Sequence, residues 1–192
     1  QVLNLATSFN GFYRDCKIFD DDKQVEVFLA EIFSHDWILQ NDSGRPIDEC
    51  VEELSLMYPD FAEPISAFRD RWPEMIGGLY GETVRILDRL RDRDLALYAL
   101  SNWSRDTWPY AMQNFAFLAW FDGHIISGFE GVAKPNADIY RRLERYGVDL
   151  ERAVFIDDRL DNVAAAEALG MIGIQYVGPN ELSAKLEALN LL

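Results

Sequence analysis

Cysteine and histidine are scarce in this sequence of 192 residues, which has two of each. Cys16 and Cys50 show no CxxC spacing and have no histidine beside them. A zinc site needs about four such ligands at characteristic spacings, so the sequence argues against one. The two cysteines are interpreted as ordinary thiols of a cytosolic protein.

Positive charge is also in short supply, because 18 basic residues face 33 acidic ones and leave a net charge of -15. Nucleic acids and anionic membrane surfaces are bound through basic patches, so neither is expected as a partner. The same charge repels a phosphorylated molecule at long range. An anion site in this chain must therefore be built locally, from a metal ion and a few well-placed donors.

Long apolar runs are absent, and none approaches the length of a membrane span. The first residues show no basic stretch followed by an apolar one, so no secretory signal is predicted, and a cytoplasmic location is expected. Hydrophobic residues make up 49% of the chain, which is enough for a folded core. Neither internal repeats nor low-complexity segments are found, and the oligomeric state is left open.

The chain has two regions with different sequence patterns, separated by a glycine-rich stretch at Gly77, Gly78 and Gly81. Before it, residues 2–5 predict a short buried strand and residues 7–10 a loop. From about residue 12 to residue 76, apolar residues recur at helical spacing. After the glycines, strands and helices alternate. Strands are predicted at 95–100, 124–127, 153–156 and 172–177, and helices at 82–92, 107–114 and 183–189, with two more helices closed by Gly147 and Gly170.

This alternation predicts an α/β fold, with a doubly wound, Rossmann-like parallel sheet as its core and an inserted α-helical cap. Residues 1–11 and 81–192 are assigned to the core, and residues 12–80 to the cap. Such sheets bind ligands beyond the carboxyl ends of their strands.

Polar residues follow two of the predicted strands: Ser101 and Asn102 after the first, Asp157 and Asp158 after the third. Ser101 and Asn102 can bind the oxygens of an anion, or they can form a turn or a helix cap. Two adjacent carboxylates repel each other, which a divalent cation between them relieves, and oxygen ligands favour magnesium. The alternative is that one of the two acids caps the following helix.

Lys134 precedes Pro135, which favours an extended backbone at the lysine and is expected to start the next helix. A lysine held at such a junction can point its ammonium group into a cleft, and the alternative is an ordinary surface lysine. Trp103 follows Ser101 and Asn102 closely enough to line the same pocket.

Three segments, ALSNWS, KPNADIY and FIDDRLDNVAAAEALG, occur in this order after the corresponding strands. Together they resemble the second, third and fourth motifs of the haloacid dehalogenase superfamily, in the subfamily with a helical cap. The segments GRPIDE and RWPEMIGG are also similar to its cap. The resemblance implies a Mg²⁺-dependent phosphatase of a small phosphorylated metabolite, working through an aspartyl-phosphate. It implies catalytic roles for Lys134 and Ser101, substrate binding by Ser101, Asn102, Trp103 and Lys134, and metal binding by Asp157 and Asp158, with Asn162 where a further acid often lies.

The first motif departs from the family pattern. An ungapped placement puts Asn4 where the nucleophilic aspartate is expected, Ala6 at the acid/base position and Thr7 at a glycine position. An asparagine amide cannot form the aspartyl-phosphate. The nearest acids are interpreted as a solvated helix end: Asp15, Asp20, Asp21 and Asp22.

Three explanations stay open for this departure. The sequence lacks residues around the first motif, or the protein is a catalytically inactive binding protein of the same fold, or the sequence has been altered artificially. A metal-free 2-haloacid dehalogenase is a further alternative, which the acidic pair Asp157–Asp158 disfavours.

Overall fold

The structure is a computed structural model that describes residues 6–16 and 18–192. The strand predicted at residues 2–5 lies outside the described residues. The first part of the chain is helical. Its helices are α1 (Ala6–Asp15), α2 (Asp22–Val27), α3 (His35–Asp42), α4 (Ile47–Met57) and α5 (Ala62–Asp70), with a π-helical turn at Phe28–Ile32 and 3₁₀ turns at Pro59–Phe61 and Trp72–Met75.

An aromatic cluster holds these helices together. Tyr13 is fully buried, and its ring contacts those of Phe28 and Phe33 at centroid distances of 5.0 and 5.5 Å. Its hydroxyl donates to the carbonyl oxygen of Pro64 at 3.0 Å, so the buried polar group is satisfied.

Helix α1 corrects the prediction of a loop at residues 7–10. Asn10 and Gly11 favour a turn, but Phe9, Phe12 and Tyr13 recur at helical spacing and pack in the same cluster. Burial of this aromatic stripe outweighs the weak helix propensity of the polar residues and of glycine.

The second part alternates as predicted. Its elements in order are α6 (Gly81–Arg91), β1 (Tyr98–Ser101), α7 (Trp108–Asn114), a 3₁₀ turn (Ala116–Trp120), β2 (Gly123–Ile126), α8 (Ser127–Glu130), α9 (Ala137–Arg141), 3₁₀ turns at Arg142–Tyr146 and Leu150–Arg152, β3 (Val154–Asp157), α10 (Leu160–Glu167), β4 (Ile172–Gln175) and α11 (Pro179–Ala188). Gly147 and Gly170 have positive φ angles of 77° and 88°, the left-handed conformation in which glycine ends a helix.

The strands form two parallel pairs, β1 with β2 and β3 with β4. One apolar cluster on their faces joins Ile86 of α6 and Leu186 of α11 with Ile174. A second joins Ile139 and Leu143 with Phe155. The strands therefore have helices on both faces, and the predicted α/β class is confirmed.

Strand β1 begins later than predicted. Residues 95–97 are apolar like the rest of the predicted strand, but Leu97 pairs with a loop residue instead of a strand. Its amide donates to the Asp122 carboxylate and its carbonyl accepts from the Asp122 amide, both at 2.7 Å. Within the described residues, no helix is long and apolar enough to cross a membrane. The assigned core and cap boundaries stay a prediction.

Candidate functional site

Lys134 lies where the carboxyl ends of β1 and β3 come together. Its Nζ donates to the Leu100 carbonyl oxygen at 2.9 Å and to Asp157 Oδ2 at 2.6 Å. The side chains of Lys134 and Asp157 are each only 8% exposed. The alternative of a surface lysine is thus wrong, and the strand ends meet as the fold class predicted.

Asn102 fixes the backbone that carries this lysine. Its Nδ2 donates to the Lys134 carbonyl at 3.0 Å, and its Oδ1 accepts from the Lys134 amide at 2.8 Å. This two-point bridge uses both ends of the amide side chain, so an aspartate or leucine there cannot replace it. Asn102 contacts the Lys134 backbone and thereby positions the ammonium group.

The helix after Lys134 was predicted to start at Pro135, and this prediction is wrong. Helix α9 begins at Ala137, and Asn136 is its N-cap, with Oδ1 accepting from the Asp138 amide at 2.9 Å. Asparagine is among the preferred N-cap residues, so this start follows from local chemistry.

Asp157 accepts three hydrogen bonds at the end of β3. Besides Lys134, the donors are Asn162 Nδ2 and the Arg159 amide, both at 2.9 Å from Oδ1. Burial raises the pKa of Asp157, but the Lys134 ammonium and these hydrogen bonds lower it by more, so its pKa lies below the ordinary value. The N-cap of α10 is Arg159, so the alternative in which one of the acids caps that helix is wrong.

Oxygen atoms for a divalent cation are found beside this ion pair. Asn162 Oδ1 is buried and has no hydrogen-bond partner in the part of the chain that the structure describes, and Asp158 is half-buried on the cavity wall. Within the described part of the chain, no group of three His, Cys, Asp or Glu side chains could hold a metal. Magnesium keeps several waters and takes one or two carboxylates plus substrate oxygens. The residues present fit such a loosely held ion.

Ser101 and Trp103 line the same cavity. Ser101 is half-buried. Among the described residues its hydroxyl has only a long contact of 3.4 Å to the Asn102 carbonyl, which leaves it available to a ligand. Trp103 is buried between Trp72 and Trp108, at ring distances of 5.6 and 5.7 Å, and its Nε1 has no partner among the described residues. The indole of Trp103 therefore packs against Trp72 of the helical part and against Trp108 of the α/β part.

Helix α3 contributes residues that the sequence did not reveal as part of the site: His35, Leu39 and Asp42 line the same cavity. Arg159 Nη1 lies 3.5 Å from His35 Nε2 and links the two parts of the chain, while the same guanidinium holds Asp161 at 2.6 Å. These contacts join residues far apart in sequence, and no local motif signals them.

The acids near the first motif lie away from this site, and none of them lines the cavity. Asp21 caps α2 by accepting from the Gln24 amide at 2.9 Å, and Asp22 pairs with Arg14 at 2.7 Å. Both belong to an exposed helix start, which confirms their interpretation as a solvated helix end. Asn4, the residue at the expected nucleophile position, lies outside the described residues.

The cavity is large, with a volume of about 980 Å³. Its lining includes Ser101 and Asp158 at the carboxyl ends of β1 and β3, and Leu95 and Ala153 before the same two strands. The candidate site is the polar part of this lining, at the strand ends.

Comparison with known proteins agrees with this geometry. The family model of the haloacid dehalogenase-like hydrolases matches residues 24–170. A sesquiterpene phosphatase, astK, of Aspergillus oryzae is 30% identical over 90 residues, which are 46% of this chain and 46% of that protein. The chain therefore aligns with less than half of that curated relative.

Two solved structures are similar over nearly the whole chain. A predicted hydrolase of the same family from Porphyromonas gingivalis has a TM-score of 0.70 at 25% identity, covering 98% of this chain and 91% of the other. An enzyme of the family from Bacteroides thetaiotaomicron, in complex with magnesium and inorganic phosphate, has a TM-score of 0.69 at 22% identity, covering 91% and 88%. The chain belongs to the haloacid dehalogenase-like hydrolases.

Proposed function

We propose that the protein is a magnesium-dependent phosphatase that hydrolyses a phosphate monoester of a small metabolite. The observation that carries this proposal is the buried ammonium group of Lys134, fixed between Leu100 and Asp157 at the ends of two strands. Such a fixed cation, beside the Ser101 hydroxyl, suits the oxygens of a phosphoryl group.

Each residue has a distinct role in the proposal. Lys134 offsets the negative charge of the phosphoryl oxygens, and the Ser101 hydroxyl donates to one of them. Asn102 keeps Lys134 in place through its two hydrogen bonds. Asp158 and Asn162 Oδ1 would hold the magnesium ion, which when bound neutralises further charge on the phosphoryl group. The net charge of -15 makes this local neutralisation necessary.

The substrate class rests on two observations. Phosphatase activity is in the name of the Aspergillus oryzae relative, whose aligned segment is 30% identical to this chain. The cavity lining also includes His35 and Leu39 of helix α3, and these two side chains are proposed to contact the organic part of the phosphate ester. A small metabolite is therefore proposed, without assignment of its carbon skeleton.

A second candidate is a binding protein of the same fold that has no catalytic activity. It is favoured by Asn4 at the expected nucleophile position. It is also favoured by the carboxylates near the first motif, because Asp21 caps an exposed helix and Asp22 forms an ion pair there. Such a protein would use Lys134, Ser101 and Asn102 to bind a phosphorylated ligand without cleaving it.

The deciding experiment measures hydrolysis of an aryl phosphate by the whole chain, with and without magnesium. Replacing Lys134 alone would leave Asp157 as an unpaired buried charge, which costs about 3–5 kcal/mol of stability. The test variant is therefore Lys134→Met with Asp157→Asn, which removes both charges together, and Lys185→Met on exposed α11 is the control.

We expect magnesium-dependent turnover in the native chain and in the Lys185 control, and a loss of about 10²–10³-fold in the double variant. Turnover that survives the double variant with its fold intact, by circular dichroism, would contradict the assigned role of Lys134. If the native chain shows no turnover but binds inorganic phosphate with magnesium in a calorimeter, the binding protein is the correct alternative.

A further inference from the structure

Arg159 brings a second permanent positive charge to the strand ends of the cavity lining. Among the described lining residues, three side chains carry such a charge: Lys134, Arg152 and Arg159. Arg152 precedes β3, whereas Arg159 follows its end, on the same side as Lys134. The proposed function uses Lys134 and leaves the guanidinium group of Arg159 without a role.

A single carboxylate connects Lys134 and Arg159. Asp157 Oδ2 accepts from Lys134 Nζ at 2.6 Å, and Asp157 Oδ1 accepts from the Arg159 amide at 2.9 Å. The ammonium group of Lys134 and the backbone of Arg159 are therefore separated by the width of that carboxylate. A small molecule bound at Lys134 lies within reach of the Arg159 side chain.

Asp161 fixes the orientation of the Arg159 guanidinium group. Its Oδ1 accepts from Nε at 3.1 Å and its Oδ2 accepts from Nη2 at 2.6 Å, and this two-point pairing holds the guanidinium plane. The pairing uses two of the five N–H donors of the group. The other edge of the guanidinium group presents Nη1 and the second hydrogen of Nη2. These donors match the two oxygens of another carboxylate.

His35 is the described residue that contacts this second edge. Its Nε2 lies 3.5 Å from Arg159 Nη1, which is longer than an ordinary hydrogen bond. Because a guanidinium group only donates, Nε2 is the acceptor in this weak contact. His35 is exposed at the start of α3, so its ring can turn and donate an N–H to an oxygen that takes its place.

Helix α3 adds an apolar side chain beside His35. Leu39 follows His35 by four positions, which places both on one face of the helix, and both line the cavity. The lining therefore offers an apolar contact in addition to the cations Lys134 and Arg159. A ligand with an anionic group at each end and a short carbon chain between them fits this combination.

We propose that Arg159 and His35 bind a carboxylate on the organic part of the substrate, which makes the substrate a phosphate monoester of a small carboxylic acid. This inference rests on the proposed function, because it takes Lys134 as the binding place of the phosphoryl group. A group with one negative charge suits the second edge, since Asp161 already offsets part of the charge of Arg159. A second phosphoryl group carries more negative charge than this edge can offset.

Phosphonates test this subsite without requiring turnover, because a phosphatase does not break their carbon–phosphorus bond. Binding of 3-phosphonopropionate and of propylphosphonate to the whole chain is measured by calorimetry with magnesium present. The two probes share the phosphonate group and the chain length, and the carboxylate of the first replaces the terminal methyl group of the second. Phosphonoacetate with ethylphosphonate, and 4-phosphonobutyrate with butylphosphonate, vary the distance between the two ends.

The readout is the ratio of the affinities for the two members of a probe pair, because a general disturbance of the site changes both affinities. Arg159→Gln removes the second edge. Arg141→Gln is the matched control, since Arg141 is similarly exposed and also pairs with a nearby aspartate. In the native chain and in the control, we expect the carboxylate probe of the best length to bind about tenfold more tightly or better. The ratio should fall close to unity in Arg159→Gln, and by a smaller factor in His35→Ala.

Each other outcome contradicts a definite part of the inference. Equal affinities within every probe pair in the native chain would overturn the carboxylate subsite and leave the phosphatase proposal in place. A preference for the carboxylate that survives Arg159→Gln would overturn the role of Arg159. Tighter binding of propane-1,3-bisphosphonate than of 3-phosphonopropionate would assign the edge to a phosphoryl group instead. A native chain that binds neither inorganic phosphate nor any phosphonate would remove the proposed function, and this inference with it.

Discussion

Asp42 has a carboxyl group that forms no ion pair with any of the described residues. It ends helix α3 and lines the cavity, and its own carbonyl accepts a hydrogen bond from the Ser127 hydroxyl. Burial raises the pKa of Asp42 to about 7, and a hydrogen bond from the Ser104 backbone lowers it by less. The carboxyl group is therefore easier to bury in its protonated form.

This raised pKa makes the free energy of unfolding depend on pH, with a sign that follows from proton binding. In the unfolded chain an aspartate titrates near pH 3.9, so between that pH and about 7 the folded form binds more protons at this residue. The contribution of Asp42 to the free energy of unfolding thus falls as pH rises from about 4 to about 7, and is constant above.

Asp42→Asn should remove this loss of stability at higher pH, because an amide carries no charge to bury. Its oxygen can still accept the hydrogen bond from the Ser104 backbone. We expect the variant to gain about 1–3 kcal/mol over the native chain at pH 8 and much less at pH 5. Urea unfolding at the two pH values, with Asp60→Asn on an exposed turn as control, measures the difference. A variant that is less stable than the native chain at pH 8 would show that the charged form is the favoured one.

At the scale of elements, α8 is held against the loop that follows β1. Gly128 in this helix is fitted so closely that a Cβ atom there would lie 2.3 Å from the Arg105 amide nitrogen and 2.7 Å from the Trp103 carbonyl oxygen. Both are backbone atoms, which cannot move aside as a flexible side chain can. The loop they belong to carries Trp103, on the wall of the candidate site.

Gly128→Ala should therefore destabilise the protein by about 1–3 kcal/mol, as overpacking of a core does. Gly81→Ala is the matched control, since no atom lies within 4 Å of its added Cβ and its φ is not in the left-handed region. Thermal unfolding of the two variants compares them. Equal melting temperatures would mean that the loop after β1 is free to shift.

The elements also show what the sequence could predict. Apolar runs located β2, β3 and β4 to within two or three residues, and the rule that ligands bind at strand ends brought Ser101 and Asp157 to one place. Lys134 was added to that place by the family resemblance. The helix at α1 was missed because Asn10 and Gly11 outweighed an aromatic stripe whose partners lie in distant helices. The ion pair between Lys134 and Asp157 was missed as well. Each side chain had been assigned to a ligand, and opposite charges placed at one site also attract each other.

Contacts between the two parts of the chain were beyond sequence reasoning for a physical reason. Ile47 at the start of α4 donates its amide to the Asp106 carboxylate at 2.8 Å, across 59 positions of sequence. His35 and Arg159 meet across 124 positions. Such pairs are set by how helices pack, and nothing in either local segment favours one partner over another.

At the scale of the whole molecule, the site is assembled from segments that are far apart in the chain. Lys134 lies before α9, Ser101 at the end of β1 and Asp157 at the end of β3. Hydrogen bonds join Lys134 to Asn102 and to Asp157. The family resemblance places the nucleophile of such a site at Asn4. The identity of one side chain at position 4 then decides whether the site contains a nucleophile.

Asn4→Asp tests this directly. A carboxylate at position 4 can attack the phosphorus of an aryl phosphate, forming a carboxyl–phosphorus bond as the bond to the aryl oxygen breaks. The aryloxide leaves with the electron pair and needs no proton. Ala6, at the expected acid/base position, has no group to assist water, so the aspartyl-phosphate should persist.

If the native chain shows no turnover, as the binding-protein alternative expects, Asn4→Asp should give a burst of about one aryl alcohol per chain and no steady turnover. The intact mass should rise by one phosphoryl group, located on the peptide that contains residue 4. Asn4→Ala should give no burst, and neither should Asn4→Asp combined with Lys134→Met and Asp157→Asn, because the oxygens of the phosphoryl group then lose their cation. A folded Asn4→Asp chain that releases no aryl alcohol would rule out position 4 as the place of the nucleophile.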